Sequence, residues 1–335
     1  MKRIVLVCFS TVAALILSTA KYSNAQIEYS HSDFRFIDLF GQTGTHIYTG
    51  ELLKEALSNG YGALQVRYGW QSNTPDSWQS KYLYPGYGVG WYSGFIGNPD
   101  LLGKPSALFG FISFPLFNNL KHTMLTDVGL GISFGFEPYH EVKNELNDAI
   151  GSRFNAYFNL KLVAKYRINR ELDFIYGLDF THFSNGRTFR PNAGLNMYGT
   201  NLGFRYNFNA KQKRVDNSYL PKKILDARPE LYAYNSHERI GKGELLIYGA
   251  YGFVQNSEDM GTDYQYSTVT SCIEYRYLLN TRSGFTAGFD FFYDASLKPY
   301  FPNKTYDFYG IHAGYDFMFW NFSIRIQGGS YLTAK

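Results

Sequence analysis

A two-residue alternation between positions 153 and 168 constrains the fold of this chain more than any other feature of its sequence. Every even position in this stretch is apolar, whereas the odd positions are mostly polar or charged. Because successive side chains of a β-strand point to opposite faces, the pattern predicts one strand with a wholly apolar face. At sixteen residues the stretch is far longer than the strands of about 5–6 residues found in most soluble sheets.

The following segment, Glu171–Ser184, repeats the alternation after the short link Asn169–Arg170. Two such runs around a short link predict an antiparallel hairpin. Aromatic residues make up 19% of the chain and charged residues only 18%, which favours strands over a disordered chain or an ordinary soluble domain. Long strands with one apolar and one polar face are typical of outer-membrane β-barrels, whose closure leaves no unpaired backbone edge in lipid.

We therefore predict an all-β fold, an antiparallel transmembrane β-barrel of about twelve strands. A further candidate strand lies around Phe34–Phe40, and fourteen is the next even count expected for a single-chain bacterial barrel. The twelve predicted strands are Tyr61–Trp70, Gly86–Tyr92, Ala107–Phe117, Thr126–Phe136, Arg153–Ile168, Glu171–Ser184, Asn196–Phe208, Glu244–Val254, Tyr264–Leu279, Gly284–Asp294, Thr305–Phe319 and Asn321–Tyr331.

The first residues have the composition of a secretory signal peptide. Lys2 and Arg3 precede the apolar run Ile4–Leu17, and the segment ends in small residues at Ala25. The apolar run has fourteen residues, fewer than the roughly 20 that a membrane-spanning helix needs. We predict that residues 1–25 are a cleaved signal peptide and that the exported chain resides in the outer membrane of a Gram-negative cell.

Charge and cysteine content exclude several classes of function. Removing residues 1–25 takes away three basic residues and no acid, so the exported chain is close to neutral and no nucleic-acid partner is predicted. Cys272 is then its one cysteine, which forms neither an internal disulfide nor a cysteine metal cluster. The strand-like run Thr268–Tyr277 around it predicts a buried small side chain.

One short motif carries residues that support chemistry. His182 and Ser184 share the parity of the apolar face at the end of a predicted strand, so both are predicted to point outward at the barrel rim. A histidine beside a serine can accept the hydroxyl proton and make the serine a nucleophile for acyl transfer. Asn196 on the returning strand has the same parity and is predicted to orient the imidazole. The alternative is that His182 and Ser184 are polar rim residues that hold a turn.

The run His182-Phe183-Ser184-Asn185, the turn Pro191–Gly194 and the strand end Arg205–Phe208 resemble the lipid A 3-O-deacylase family, also called acyloxyacyl hydrolases. The resemblance covers about residues 60–208. It implies an eight-stranded outer-membrane barrel that hydrolyses an ester-linked acyl chain of lipid A, with lipopolysaccharide in the outer leaflet as its partner.

What the resemblance implies for the site follows residue by residue. His182 is the implied base and Ser184 the implied nucleophile, and no cofactor is implied. The motif lacks a cluster with metal-ligand spacing, so no metal is predicted. The candidates for binding the oxyanion are Asn192 and the backbone N–H groups around Asn185 and Gly186.

Two departures from the family pattern matter. The family has a glutamate twelve residues after the serine, where this chain has Asn196. An amide oxygen can hold an imidazole tautomer, but it stabilises an imidazolium less than a carboxylate does. The chain also continues beyond Phe208 with five predicted strands, which either join an enlarged barrel or form a soluble sheet outside it.

The predicted organisation is a signal peptide (1–25), a deacylase-like barrel region (26–208), a polar connector (209–242) and additional barrel strands (243–335). Three functions remain open at this point. The first is an outer-membrane serine esterase acting on lipid A, which the outward His182 and Ser184 favour. The second is a non-catalytic barrel of the same descent, which Asn196 favours. The third is a channel, favoured by the inward parity of Lys161, Lys165, Asp173 and Asp179.

Overall fold

The first eight strands of the chain close an antiparallel barrel. A computed structural model describes residues 33–47, 52–54, 57, 60–72, 78–118, 121–169, 171–208, 241–319 and 322–332. The predicted signal peptide and residues 209–240 of the predicted connector lie outside the described residues. The barrel strands are β1 (Asp33–Ile47), β2 (Tyr61–Ser72), β3 (Gly86–Phe95), β4 (Gly103–Asn118), β5 (His122–Phe136), β6 (Asn155–Arg167), β7 (Leu172–Ser184) and β8 (Leu195–Phe208).

Barrel closure occurs between β8 and β1, whose register runs from the pair Arg35 and Phe208 to the pair Ile47 and Asn196. The prediction of a single barrel with twelve or fourteen strands is therefore wrong. The predicted strand count is wrong because the candidate strand around Phe34–Phe40, which was not among the predicted twelve, is strand β1 of the barrel. Because β1 occupies the free edge of β8, no edge is left in the barrel to which a later strand could pair.

The barrel lumen is packed with side chains. The alternation holds as predicted, with odd positions of β6 and β7 buried inside and most even positions facing outward. Asp38 accepts hydrogen bonds from Arg67 at 2.7 Å and from Arg205 at 2.6 Å, and Arg67 also bonds Asp127 at 2.6 Å. An eight-stranded barrel is just wide enough for its own side chains. The filled lumen argues against the channel.

The last five strands form a second, separate antiparallel sheet. This outcome corresponds to the alternative in which the later strands lie outside the barrel. The strands are β9 (Lys242–Val254), β10 (Tyr266–Asn280), β11 (Ser283–Asp294), β12 (Asp307–Phe319) and β13 (Phe322–Tyr331). The described helical segments are the short turns Trp78–Tyr82, Pro99–Leu102 and Ala295–Leu297. None of them is long and apolar enough to cross a membrane.

The two faces of this second sheet differ in chemistry. One face is apolar and exposed, since Leu245, Ile247 and Phe289 keep 68%, 70% and 68% of their surface accessible. The other, called the polar face below, carries a network of ion pairs in which Arg276 and Arg325 both contact Asp316. The sheet therefore has the same division into an apolar and a charged face as the barrel.

The second sheet contacts the barrel at both ends of its strands. The hydroxyl of Tyr82, between β2 and β3, donates to the carbonyl of Thr281 in the β10–β11 turn at 3.4 Å. At the opposite end, residues of the β9–β10 loop bond the β7–β8 loop. Strand β9 therefore runs toward the same end of the molecule as β7.

Candidate active site

The predicted site residues lie at the C-terminal end of β7, on the outer face of the barrel. His182 and Ser184 are half-buried there, whereas Phe183 between them points into the lumen and is fully buried. The Phe183 ring packs against Tyr157 at 5.5 Å and Phe136 at 5.1 Å between ring centroids. Because a packed lumen fixes the strand, the two outward side chains project from a rigid support.

His182 is held by Asn196. The two residues are direct cross-strand partners of β7 and β8, and His182 Nδ1 lies 2.7 Å from Asn196 Oδ1. An amide oxygen only accepts hydrogen bonds, so this contact places the proton of the neutral imidazole on Nδ1. The other ring nitrogen, Nε2, is then the one that can accept a proton.

Ser184 is bound by the turn that follows it. Its Oγ accepts from Asn192 Nδ2 at 3.0 Å and from the Gly186 N–H at 3.2 Å, and it lies 3.3 Å from Asn192 Oδ1. Within the described residues no hydrogen bond joins His182 to Ser184. The structure thus places His182, Ser184 and Asn196 on one surface, but the serine hydroxyl pairs with Asn192. In serine hydrolases the contact between histidine and serine is often loose before the substrate binds.

The oxyanion candidates differ in what they contact. Asn192 Nδ2 and the Gly186 N–H both point at Ser184 Oγ. The Asn185 N–H instead donates to Asn192 Oδ1 at 3.0 Å. The side chain of Asn185 bonds Ser152 Oγ at 2.9 Å and the Phe189 carbonyl at 3.0 Å. Asn192 and Gly186 therefore present N–H groups to Ser184, whereas Asn185 holds the loop together.

An apolar surface extends along the barrel from the site. Phe158 is the cross-strand partner of His182, and Leu160 is that of Phe180. Further along β7 and β8, Leu178 and Tyr198 are exposed at 59% and 52%. These outward side chains form a continuous apolar wall beside the serine, which suits a long hydrocarbon chain lying against the barrel.

Loops of the second sheet hold the β7–β8 loop. Gln255 is fully buried. Its side-chain Oε1 accepts a hydrogen bond from the backbone N–H of Arg190 at 2.6 Å, and its own backbone N–H donates to the Arg187 carbonyl at 2.9 Å. Gln265 Nε2 donates to the Thr188 carbonyl at 2.8 Å. The Arg187 guanidinium bonds Asp294 at 2.9 Å.

Sequence reasoning missed these contacts because no local pattern marks them. Gln255 and Asp294 are 65 and 107 residues away from their partners along the chain. The one local hint is the cluster of two arginines, at positions 187 and 190, in a loop that follows the motif. The second sheet thus contributes directly to the surroundings of the site.

The comparisons with known families agree with the resemblance found in the sequence. Residues 64–205 match the family model of lipid A 3-O-deacylase (PagL). Residues 243–335 match the model of the acyloxyacyl hydrolase C-terminal domain. The predicted resemblance to this family is therefore confirmed, and it extends to the second sheet. No curated protein sequence matches the chain.

Solved barrels of similar size cover about half of the chain. The outer membrane enzyme PagL is 14% identical, with a TM-score of 0.33, over 50% of this chain and 98% of its own. Neisserial surface protein A is 10% identical, with a TM-score of 0.32, over 53% and 97%. The N-terminal β-barrel domain of Pseudomonas aeruginosa OprF is 14% identical, with a TM-score of 0.30, over 52% and 97%.

Proposed function

We propose, starting from the match of the barrel to the lipid A 3-O-deacylase family, that this chain hydrolyses an ester-linked acyl chain of lipid A with Ser184 as the nucleophile. The observation that carries the proposal is the pairing of His182 with Asn196 beside Ser184 on the outer face of the barrel. An outward site suits a substrate that is itself a membrane lipid. Apolar outer faces of this kind are typical of outer-membrane barrels, which supports a site at the membrane rim.

The reaction begins with a small movement of the serine. Ser184 Oγ turns from Asn192 Oδ1 toward His182 Nε2, gives up its proton to that nitrogen and attacks the ester carbonyl carbon. The carbonyl oxygen becomes an oxyanion, which Asn192 Nδ2 and the Gly186 N–H stabilise. Asn196 Oδ1 holds the Nδ1–H of the imidazolium that forms.

Collapse of the tetrahedral intermediate breaks the ester. The carbonyl re-forms, and the bond to the sugar oxygen breaks as His182 gives its proton to that oxygen. The acyl chain is now esterified to Ser184. A water then attacks the acyl-serine with His182 as the base, which releases the fatty acid and restores the hydroxyl.

Asn196 is expected to lower the rate of this reaction relative to an enzyme with a carboxylate at that position. A neutral amide oxygen keeps the imidazole in the correct tautomer, but it offers less charge to the imidazolium than a carboxylate would. We therefore expect slow turnover. The non-catalytic barrel remains the second candidate, because Asn196 stands in the place of the family's acid and the serine is bonded to Asn192.

The proposal is tested by incubating the purified protein with lipid A in detergent and following both products by mass spectrometry. We expect a lipid A species that has lost one acyl chain and an equal amount of free fatty acid. The absence of both products at high enzyme concentration, from a protein whose circular dichroism shows intact strands, would establish the non-catalytic barrel.

Substitution of Gly194 tests whether the position of His182 matters. Gly194 has a φ of +75°, and a Cβ there would lie 3.0 Å from His182 Cε1. We expect Gly194→Ala to displace the imidazole and lower kcat by about 10²-fold, as a misplacement near 1 Å can do. Gly241→Ala is the matched control. Its φ is +56° and the added Cβ would lie no closer than 3.5 Å to the Tyr277 hydroxyl, so it carries similar backbone strain of about 1–2 kcal/mol away from His182 and Ser184.

Substitution of Gln255 tests the contribution of the second sheet. Gln255→Ala removes the acceptor of the Arg190 N–H and loosens the loop that carries Asn192. We expect kcat to fall by roughly 10-fold, equivalent to about 1.4 kcal/mol, with the thermal stability of the barrel unchanged. Gln327→Ala, at an exposed position of β13, is the control. Wild-type kcat in Gln255→Ala would show that the second sheet does not position the site.

A further inference from the structure

The polar face of the second sheet gathers three different metal-ligating side chains. Cys272, Asp290 and His312 lie on the adjacent strands β10, β11 and β12, and Cys272 and Asp290 are direct cross-strand partners. One ligand atom from each lies within 4.8 Å of the other two. Cys272 is 2% exposed and His312 is 6% exposed. A thiol, a carboxylate and an imidazole at this spacing match the ligand types of zinc.

A second carboxylate supports the imidazole from its other side. His312 Nδ1 lies 2.7 Å from Asp290 Oδ2, and its Nε2 lies 3.0 Å from Glu274 Oε2. The guanidinium of Arg325 in turn donates to Glu274 Oε2 at 2.5 Å. Metal-bound histidines commonly donate their second N–H to a carboxylate, which fixes the ring and its tautomer. Glu274 is placed to accept that hydrogen bond.

The charges around the cluster are unbalanced. Arg276 binds Glu244 and Asp316, and Arg325 binds Asp316 and Glu274. Two guanidinium groups thus serve three carboxylates, and Asp290 adds a fourth on the same face. Glu274 is 2% exposed and its Oε1 is buried without a hydrogen-bond partner in the described part of the chain. Glu274 and Asp316 are buried, whereas Asp290 and Glu244 keep 29% and 31% of their side-chain surface exposed. Four carboxylates beside two guanidinium groups on one face favour an added cation.

We propose that Cys272 Sγ, Asp290 and His312 Nδ1 bind one divalent cation of the zinc class, while Glu274 accepts the Nε2–H of His312. Tyr248, the cross-strand partner of Cys272 on β9, contacts the thiol from the neighbouring strand. Binding requires the Asp290 oxygen and His312 Nδ1 to separate to roughly 3.3 Å, the spacing of two ligands about 2.0 Å from a tetrahedral ion. This site is independent of the proposed lipid A hydrolysis.

The competing arrangement is a network of ion pairs without a metal. A protonated His312 would then bridge Asp290 and Glu274, and Cys272 would remain a thiol. The two arrangements differ in the state of the sulfur, because a metal ligand is a thiolate. A probe that detects a metal–thiolate bond therefore separates them.

Cobalt provides that probe. The full-length protein, purified in detergent and freed of metal under reducing conditions, is titrated with Co²⁺ while the near-ultraviolet thiolate-to-cobalt absorption is followed. We expect the band to saturate at one Co²⁺ per chain and to be bleached by one equivalent of Zn²⁺. No band at any Co²⁺ concentration, with the strands intact by circular dichroism, would overturn the proposal without the need for a variant.

Variants then assign the band to the cluster. Cys272→Ser is expected to abolish it, and His312→Gln to weaken Co²⁺ binding strongly. Glu274→Gln keeps the ligands but removes the supporting carboxylate, and we expect about 10- to 100-fold weaker binding. His122→Gln, at an exposed position of β5, should leave binding unchanged. A band that survives in folded Cys272→Ser would place the metal elsewhere and contradict the site.

Discussion

Replacing Ser184 with alanine is expected to abolish the release of fatty acid from lipid A. The change removes the attacking oxygen but keeps the strand, because Phe183 anchors the end of β7 in the lumen. In serine hydrolases the loss of the nucleophile lowers kcat by on the order of 10⁴-fold or more. The measurement is the time course of deacylated lipid A by mass spectrometry, with purified wild type and variant at equal concentrations.

The matched control for this experiment is Ser93→Ala. Ser93 lies on the exposed face of β3, so its removal takes away an outward hydroxyl of the same barrel without touching the site. It should retain wild-type activity. If Ser184→Ala hydrolysed lipid A at the wild-type rate, the nucleophile would have to be another group and the assignment of Ser184 would be lost.

Replacing Asn196 with glutamate is expected to raise the rate of hydrolysis. The side chain at position 196 is half-buried at the barrel rim and its oxygen already lies 2.7 Å from His182 Nδ1. A carboxylate there would stabilise the imidazolium that forms as Ser184 loses its proton. Because removal of an orienting carboxylate has cost about 10⁴-fold in serine hydrolases, even partial recovery would be large and measurable.

Two further variants make this result specific. Ser93→Glu adds the same charge at an exposed, outward position of β3, four strands away from β7 in the barrel, and should leave the rate unchanged. Ser184→Ala combined with Asn196→Glu should be inactive, since the gain depends on the nucleophile. Equal rates for wild type and a folded Asn196→Glu variant would show that Asn196 does not orient the base.

The strands were predictable because the information that specifies them is local. Alternation along residues 153–184 alone fixes the outward face on which His182 and Ser184 lie. The number of strands in the barrel was not predictable in the same way. It depends on which strand pairs with the far edge of β8, and the paired residues of that partner, β1, lie 149 to 173 positions earlier in the chain.

In the candidate site, too, the contacts within neighbouring strands were predictable and the contacts made by loops were not. The two-residue alternation predicted that Asn196 and His182 share the outward face, and in the structure a hydrogen bond joins them. The pairing of Ser184 with Asn192 depends on the path of the β7–β8 loop, which periodicity does not describe. The contacts of Gln255 with that loop depend on how a second sheet sits against the barrel. Neither follows from the spacing of residues in one strand.

The seam between β1 and β8 also determines the order in which this barrel can fold. Arg35 and Phe208 are partners at one end of the seam, so the ring cannot close until all the chain between them is available to pair. Contacts this distant in sequence form slowly, because a large loop entropy must be overcome first. Until the barrel closes, one edge of β1 has unpaired backbone N–H and C=O groups. Such an edge can pair with other chains and cause aggregation. Strand β1, the first of the eight barrel strands along the chain, is therefore the one most dependent on protection until β8 has formed.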